Sequence, residues 1–145
     1  MESVLPNWIK DIETILSLFG LVITISVLFK VEGIRKNFLR RARMPDIHKS
    51  LSSTSSKYNE SLNDWPSLYK DAHFELITAQ TLLRVAVSMT KRSDSPEIHS
   101  AHKSIKSAIK KFKSTTSYDE AWRLYVDMQS AMTAMNQLKR NMKWE

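Results

Sequence analysis

The sequence predicts an all-α protein in which a single N-terminal transmembrane helix precedes a cytosolic helical bundle. Three observations predict it: an uncharged apolar run near the start, the near-absence of glycine after it, and apolar residues recurring every three or four positions to the end. Of the 145 residues only Gly20 and Gly33 are glycine, and residues 34–145 contain none. Phosphate-cradling loops, dinucleotide fingerprints and nucleophile elbows need glycine where the backbone turns sharply or approaches a ligand. Residues 34–145 therefore lack the loop chemistry of most nucleotide-using enzymes and hydrolases. Tight two-residue hairpins also favour glycine, which argues against a β architecture. The chain has no cysteine, so disulfides, thiolate metal sites and cysteine nucleophiles are excluded. Neither a cofactor nor an enzymatic activity is expected.

The first element is the apolar run itself. Residues 14–29, TILSLFGLVITISVLF, hold no charge. Sixteen residues of helix extend about 24 Å, short of a hydrocarbon core of about 30 Å. Ile12 and Val31 lengthen the run, Lys30 can snorkel to the headgroups, and Trp8 stands where an interfacial aromatic belongs. A cleavable signal peptide would begin basic, whereas this start is acidic and the basic run follows. An in-plane helix would keep a polar face, and here the apolar residues occupy nearly the whole circumference. A buried core helix could be as apolar, but the basic flank reads as a stop-transfer signal.

That flank sets the orientation. Lys30, Arg35, Lys36, Arg40, Arg41 and Arg43 follow the run, against Glu32 alone, whereas only Lys10 precedes it. The C-terminal side is therefore expected in the cytoplasm and the N-terminus outside. Glu13, Ser17, Gly20 and Thr24 recur at spacings of four, three and four on one stripe of the helix. Small and hydroxylated residues let transmembrane helices approach and hydrogen-bond, which marks a self-association face. The competing reading is that such residues are common in membrane helices and that Glu13 marks the boundary.

Residues 31–45 continue as a juxtamembrane helix with Val31, Ile34, Phe38 and Ala42 on one side. Pro45 disfavours a helical Met44, so a break is expected there. This divides the chain into residues 1–45, the transmembrane and juxtamembrane part, and residues 46–145, the cytosolic domain. The arginines suit an anionic leaflet, although the orientation signal alone accounts for them.

Four helical stretches follow. Residues 46–62 carry Ile47, Leu51, Tyr58 and Leu62, but the serine-rich stretch 50–56 is a poor helix former, leaving helix or linker open. Residues 66–91, with Pro66 in the first turn, show one stripe through Leu68, Ala72, Leu76, Ala79, Leu83 and Ala86. A second stripe runs through Phe74, Ile77, Leu82, Val85 and Met89, which predicts the most buried helix. Residues 96–113 open with Ser95 as N-cap and Pro96 at the first position, with Ile98, Ala101, Ile105, Ala108, Ile109 and Phe112 facing the core. Residues 118–142 open with the capping-box spacing Ser117 to Glu120. Tyr118, Ala121, Tyr125, Met128, Met132 and Met135 then step along one face, widened by Trp122, Leu138 and Met142. The methionine stripe fits a core, a plastic partner surface or a subunit interface.

The net charge of +7 has a second focus in the third helix. Lys103, Lys106, Lys110 and Lys113 step by three, four and three, and His99 extends the stripe upstream, with Lys111 off it. Arg84 and Trp122 complete the candidate ligand-binding set, the arginine as a further cation and Trp122 as a stacking partner for a base. Aligned lysines repel one another, so an anionic partner relieves a cost. A solvated face that maintains solubility is the alternative. His99 and His102 with Glu97 nearby make no complete metal site, and no metal is expected.

In layout, with its apolar span, its arginine flank FLRRARMP and a basic, glycine-free domain, the chain resembles the cyclic-tetra-adenylate-activated membrane effector of type III CRISPR systems. The resemblance covers the architecture of the whole chain and no residue motif, so it carries over no site residue. It implies an oligomeric cytosolic domain that binds a cyclic oligoadenylate and acts on the membrane part in antiviral defence, in a bacterial inner membrane. The expected partners are a lipid bilayer, an anionic ligand of this kind and further copies of the chain, with no duplex nucleic acid. A membrane-tethered adaptor or scaffold is the other reading.

Overall fold

The computed structural model describes residues 7–141, with side chains from Phe19 onward except at 36 and 37. Four helices account for nearly all of them: α1 (Asn7–Asn63), α2 (Tyr69–Met89), α3 (Pro96–Ile109) and α4 (Tyr118–Asn141), and no strand occurs among the described residues. The chain divides into two compact units, Met1–Phe38 and Leu39–Glu145.

In the first unit every described side chain is exposed. The apolar ones include Phe19, Ile23, Leu28, Phe29, Ile34 and Phe38, which are 61–72% exposed. Among the described residues no helix is long and apolar enough to cross a membrane. The expected span, residues 14–29, is thus not supported there, and its first five residues lie outside the described side chains. So do Trp8 and two members of the proposed self-association stripe, Glu13 and Ser17. The other two are open: a Cβ added at Gly20 would meet nothing within 4 Å, and the Thr24 hydroxyl donates to the Gly20 carbonyl at 2.8 Å. The Ser26 hydroxyl donates likewise to Val22.

The second unit is a helical bundle. Helix α1 does not break at Pro45, which lies inside it. An interior proline costs a helix about 3 kcal/mol. Met44 and Leu51 are almost wholly buried and Ile47 nearly so, and each such side chain contributes about 1.5–3 kcal/mol on burial. Packing outweighs the lost hydrogen bond. The serine-rich stretch is helical for the same reason: Thr54 and Ser55 are buried, and Ser55 Oγ accepts a hydrogen bond from Gln129 Nε2 at 3.1 Å. One turn further on, the buried Tyr58 hydroxyl donates to the Ala121 carbonyl of α4 at 2.9 Å. Burial pushes this phenol far above its ordinary range, so it stays a neutral donor. Arg40 also belongs to this unit, 17% exposed and 3.9 Å from Asp94.

Residues 64–68 form a turn before α2, so Pro66 precedes the helix rather than opening it. The first apolar stripe of α2, from Ala72 to Ala86, is completely buried. The second is not. Phe74 is 66% exposed, Ile77 43% and Val85 36%, so α2 is not the most buried helix. One stripe of alternating alanine and leucine fills most of its side of the core; of the other, Leu82 and Met89 pack half-buried against that core, while Phe74, Ile77 and Val85 stay exposed.

Helix α3 packs against both α2 and α4. Ser95 takes the N-cap position and Pro96 the first turn, but the Ser95 hydroxyl makes no cap hydrogen bond. The helix ends at Ile109 rather than 113, and Phe112 drops into the core from the connection, held by Trp65 edge-on at 5.5 Å and His73 stacked at 5.8 Å. At the start of α4 the Ser117 hydroxyl accepts from the Glu120 backbone N–H at 3.2 Å, one half of the capping box. The methionine stripe is core: Met128, Met132 and Met135 are 0–7% exposed. Met142 lies outside the described residues.

Candidate functional site

The orientation of α3 decides what its basic residues can reach. Ile98, Ala101 and Ile105 point inward, which turns Lys103 and Lys106 to solvent. Lys110 and Lys113 are exposed as well, but they lie past the last helical residue. The Lys113 backbone N–H donates to Thr116 Oγ1 at 2.9 Å inside the α3–α4 connection. The stripe of four is therefore two helical lysines followed by two in a turn, not one continuous helical face.

The two histidines take different parts. His99 Nε2 lies 3.3 Å from the Thr90 carbonyl and 3.5 Å from Thr90 Oγ1. Because that hydroxyl already donates to the Ala86 carbonyl at 3.0 Å, His99 fastens α3 to the end of α2. His102 is held below the usual histidine range, first by burial and then by Lys106, His99 and Arg84. Arg84 of α2 thus shares an electrostatic environment with the α3 residues, although no ion pair joins them. Beside this cluster, Arg92, Pro96, His99, Ser100 and Lys103 line an open cavity of about 400 Å³. A cavity edged by an arginine, a lysine and a histidine at a helix N-terminus can take a phosphate or carboxylate.

Arg84, His99, Lys103 and Lys106 are accordingly grouped along α2 and α3, with Lys110 and Lys113 trailing beyond the end of the helix. Trp122 stands apart from them. It is 40% exposed on α4, in a ladder with Tyr118 (6.2 Å between ring centroids) and Tyr125 (5.0 Å). Arg92 was not singled out by sequence, because it lies in a loop where no periodicity marks a face. Ser104 and Asp127 were missed as well: their 2.6 Å hydrogen bond ties α3 to α4 across 23 positions of sequence, and neither residue belongs to a motif. Among the described residues no group of three histidine, aspartate or glutamate side chains could hold a metal ion.

Compared with known protein families, with curated proteins and with solved structures, the chain matches none.

Proposed function

We propose that this protein is a non-enzymatic membrane effector whose helical domain binds an anionic ligand on the α2–α3 basic face. The membrane half of the proposal rests on residues 19–35, where apolar side chains are exposed on all sides of a helix. A helix apolar all round belongs in a core or a bilayer. The hydroxyls of Thr24 and Ser26 satisfy themselves on their own backbone, as hydrocarbon requires.

The ligand half rests on one observation: Arg92, His99 and Lys103 line an open cavity of about 400 Å³ at the start of α3 and give it a positive potential. Phosphates relieve that potential, and a cyclic oligonucleotide presented to several copies of the chain would offer one phosphate to each. The test is titration of the full chain in vesicles with a cyclic oligoadenylate. Binding should weaken with salt and disappear in the Lys103→Glu/Lys106→Glu variant at unchanged helicity. Binding that survives both treatments rejects the basic face as the site.

The adaptor reading draws on a different feature, the exposed stripe of Phe74, Ile77 and Val85 on α2. The Thr78 and Thr81 hydroxyls donate to carbonyls of their own helix, so this stripe offers mainly apolar contact. Site-specific crosslinking from position 74 in cells separates a protein partner from none.

A further inference from the structure

A second concavity lies between α3, the α3–α4 connection and α4, around the helix from the lysines. It measures about 350 Å³, at the lower end of the range for small-molecule sites. Its floor includes Phe112 and Leu124, both under a tenth exposed. The Phe112 ring is fixed by the His73 stack and the Trp65 edge, so the floor is formed before any ligand arrives. Around the rim stand Lys111, Arg123 and Glu120. None of the three makes an ion pair within 4 Å among the described residues. Ser104 at the site donates its hydroxyl to Asp127 at 2.6 Å, and Thr116 accepts from the Lys113 backbone N–H at its hydroxyl and from Trp65 Nε1 at its carbonyl.

Two unpaired cations, one unpaired carboxylate and a rigid apolar floor call for one kind of molecule. It must carry an anionic group for Lys111 and Arg123, a flat face for Phe112 and Leu124, and hydrogen-bond donors for Glu120. Guanidinium and ammonium groups bind phosphate by charge-assisted hydrogen bonds. A carboxylate is an acceptor only, and the Watson–Crick edge of guanine presents adjacent N–H donors to it, where adenine presents a single amino group. The geometry points to a binding site for a purine nucleoside monophosphate, with guanine preferred over adenine. This site does not depend on the α2–α3 basic face, since the two share no residue.

The experiment is isothermal titration of the full chain in detergent with GMP, AMP, guanosine and inorganic phosphate. GMP should bind saturably, AMP about tenfold more weakly, and guanosine and phosphate each more weakly still, because each lacks one half of the recognition. Arg123→Glu and Lys111→Glu should each weaken GMP about tenfold or more, and Glu120→Gln should bring GMP and AMP together. Lys103→Glu/Lys106→Glu should leave GMP binding within about threefold of the parent, as long-range charge alone changes it. Circular dichroism establishes that each variant is folded; Lys111, Arg123 and Glu120 are all exposed, so helicity should not change. No saturable GMP binding at millimolar concentration overturns the site. GMP binding kept by folded Arg123→Glu and lost by Lys103→Glu/Lys106→Glu overturns it too, by moving the nucleotide to the basic face.

Discussion

Helix α1 carries two stretches whose burial runs opposite to their apolar content. Residues 19–35 are rich in leucine, isoleucine, valine and phenylalanine, and every one is exposed. Residues 44–62 are poorer in apolar side chains, with a run of serines, yet Met44, Leu51, Thr54, Ser55, Tyr58 and Leu62 are all buried. Hydrophobicity alone does not say which residues pack. What separates the stretches is arrangement: the second has one apolar stripe, which a bundle can cover, and the first is apolar around its circumference, which a bundle this small cannot.

The contrast is sharpest in stability. Leu83→Ala empties a site with no exposure and should cost about 2–5 kcal/mol in urea unfolding followed by circular dichroism. A smaller cost, about 1 kcal/mol, should follow Tyr58→Phe, which removes one buried hydrogen bond and little volume. Phe19→Ser and Phe29→Ser together should change unfolding of the bundle by less than about 0.5 kcal/mol, while lowering recovery with vesicles in flotation. If this pair destabilised the bundle as Leu83→Ala does, residues 19–35 would be packed in solution and the contrast would fail.

The smallest effect expected is that of His102. Its charged form is disfavoured in the folded state by burial and by Lys106, His99 and Arg84. The unfolded chain, with an ordinary histidine pKa of about 6.5, takes up the proton first as pH falls. Stability from this group is therefore complete above that value and declines just below it. The difference in urea midpoint between pH 7.5 and 5.5 should be smaller in His102→Gln than in the parent, and Arg84→Gln should raise the His102 titration followed by NMR.

The helical class and the last three helices were legible because stripes such as Ile98, Ala101 and Ile105, or Met128, Met132 and Met135, repeat at the helical period. The Ser117 cap was legible from a four-residue pattern. Residues 50–56 and Pro45 were not, since propensity argues locally and the burial of Leu51 and Tyr58 is decided by a helix 63 positions away at Ala121. The second stripe of α2 misled for the converse reason: a pattern tells which residues could be covered, not whether anything covers them. Of the candidate site, the helical lysines were readable from spacing. The loop residue Arg92 lies in the α2–α3 connection, and the cleft residues Lys111, Glu120 and Arg123 come together across the α3–α4 connection; neither connection carries a period.

The bonds that fasten α1 and the turn after it to the rest also fix an order of events during synthesis. Ser55 waits for Gln129, Tyr58 for Ala121 and Trp65 for Thr116, separations of 74, 63 and 51 positions. The contacts of α2 with α3 and of α3 with α4 are local by comparison and close sooner. On the ribosome the N-terminal apolar run emerges first, and the Leu51–Tyr58 face follows it with no partner until most of α4 has been made. Throughout that interval the bundle cannot close. Closure of the bundle comes late in synthesis because of where the partners of α1 lie in the sequence.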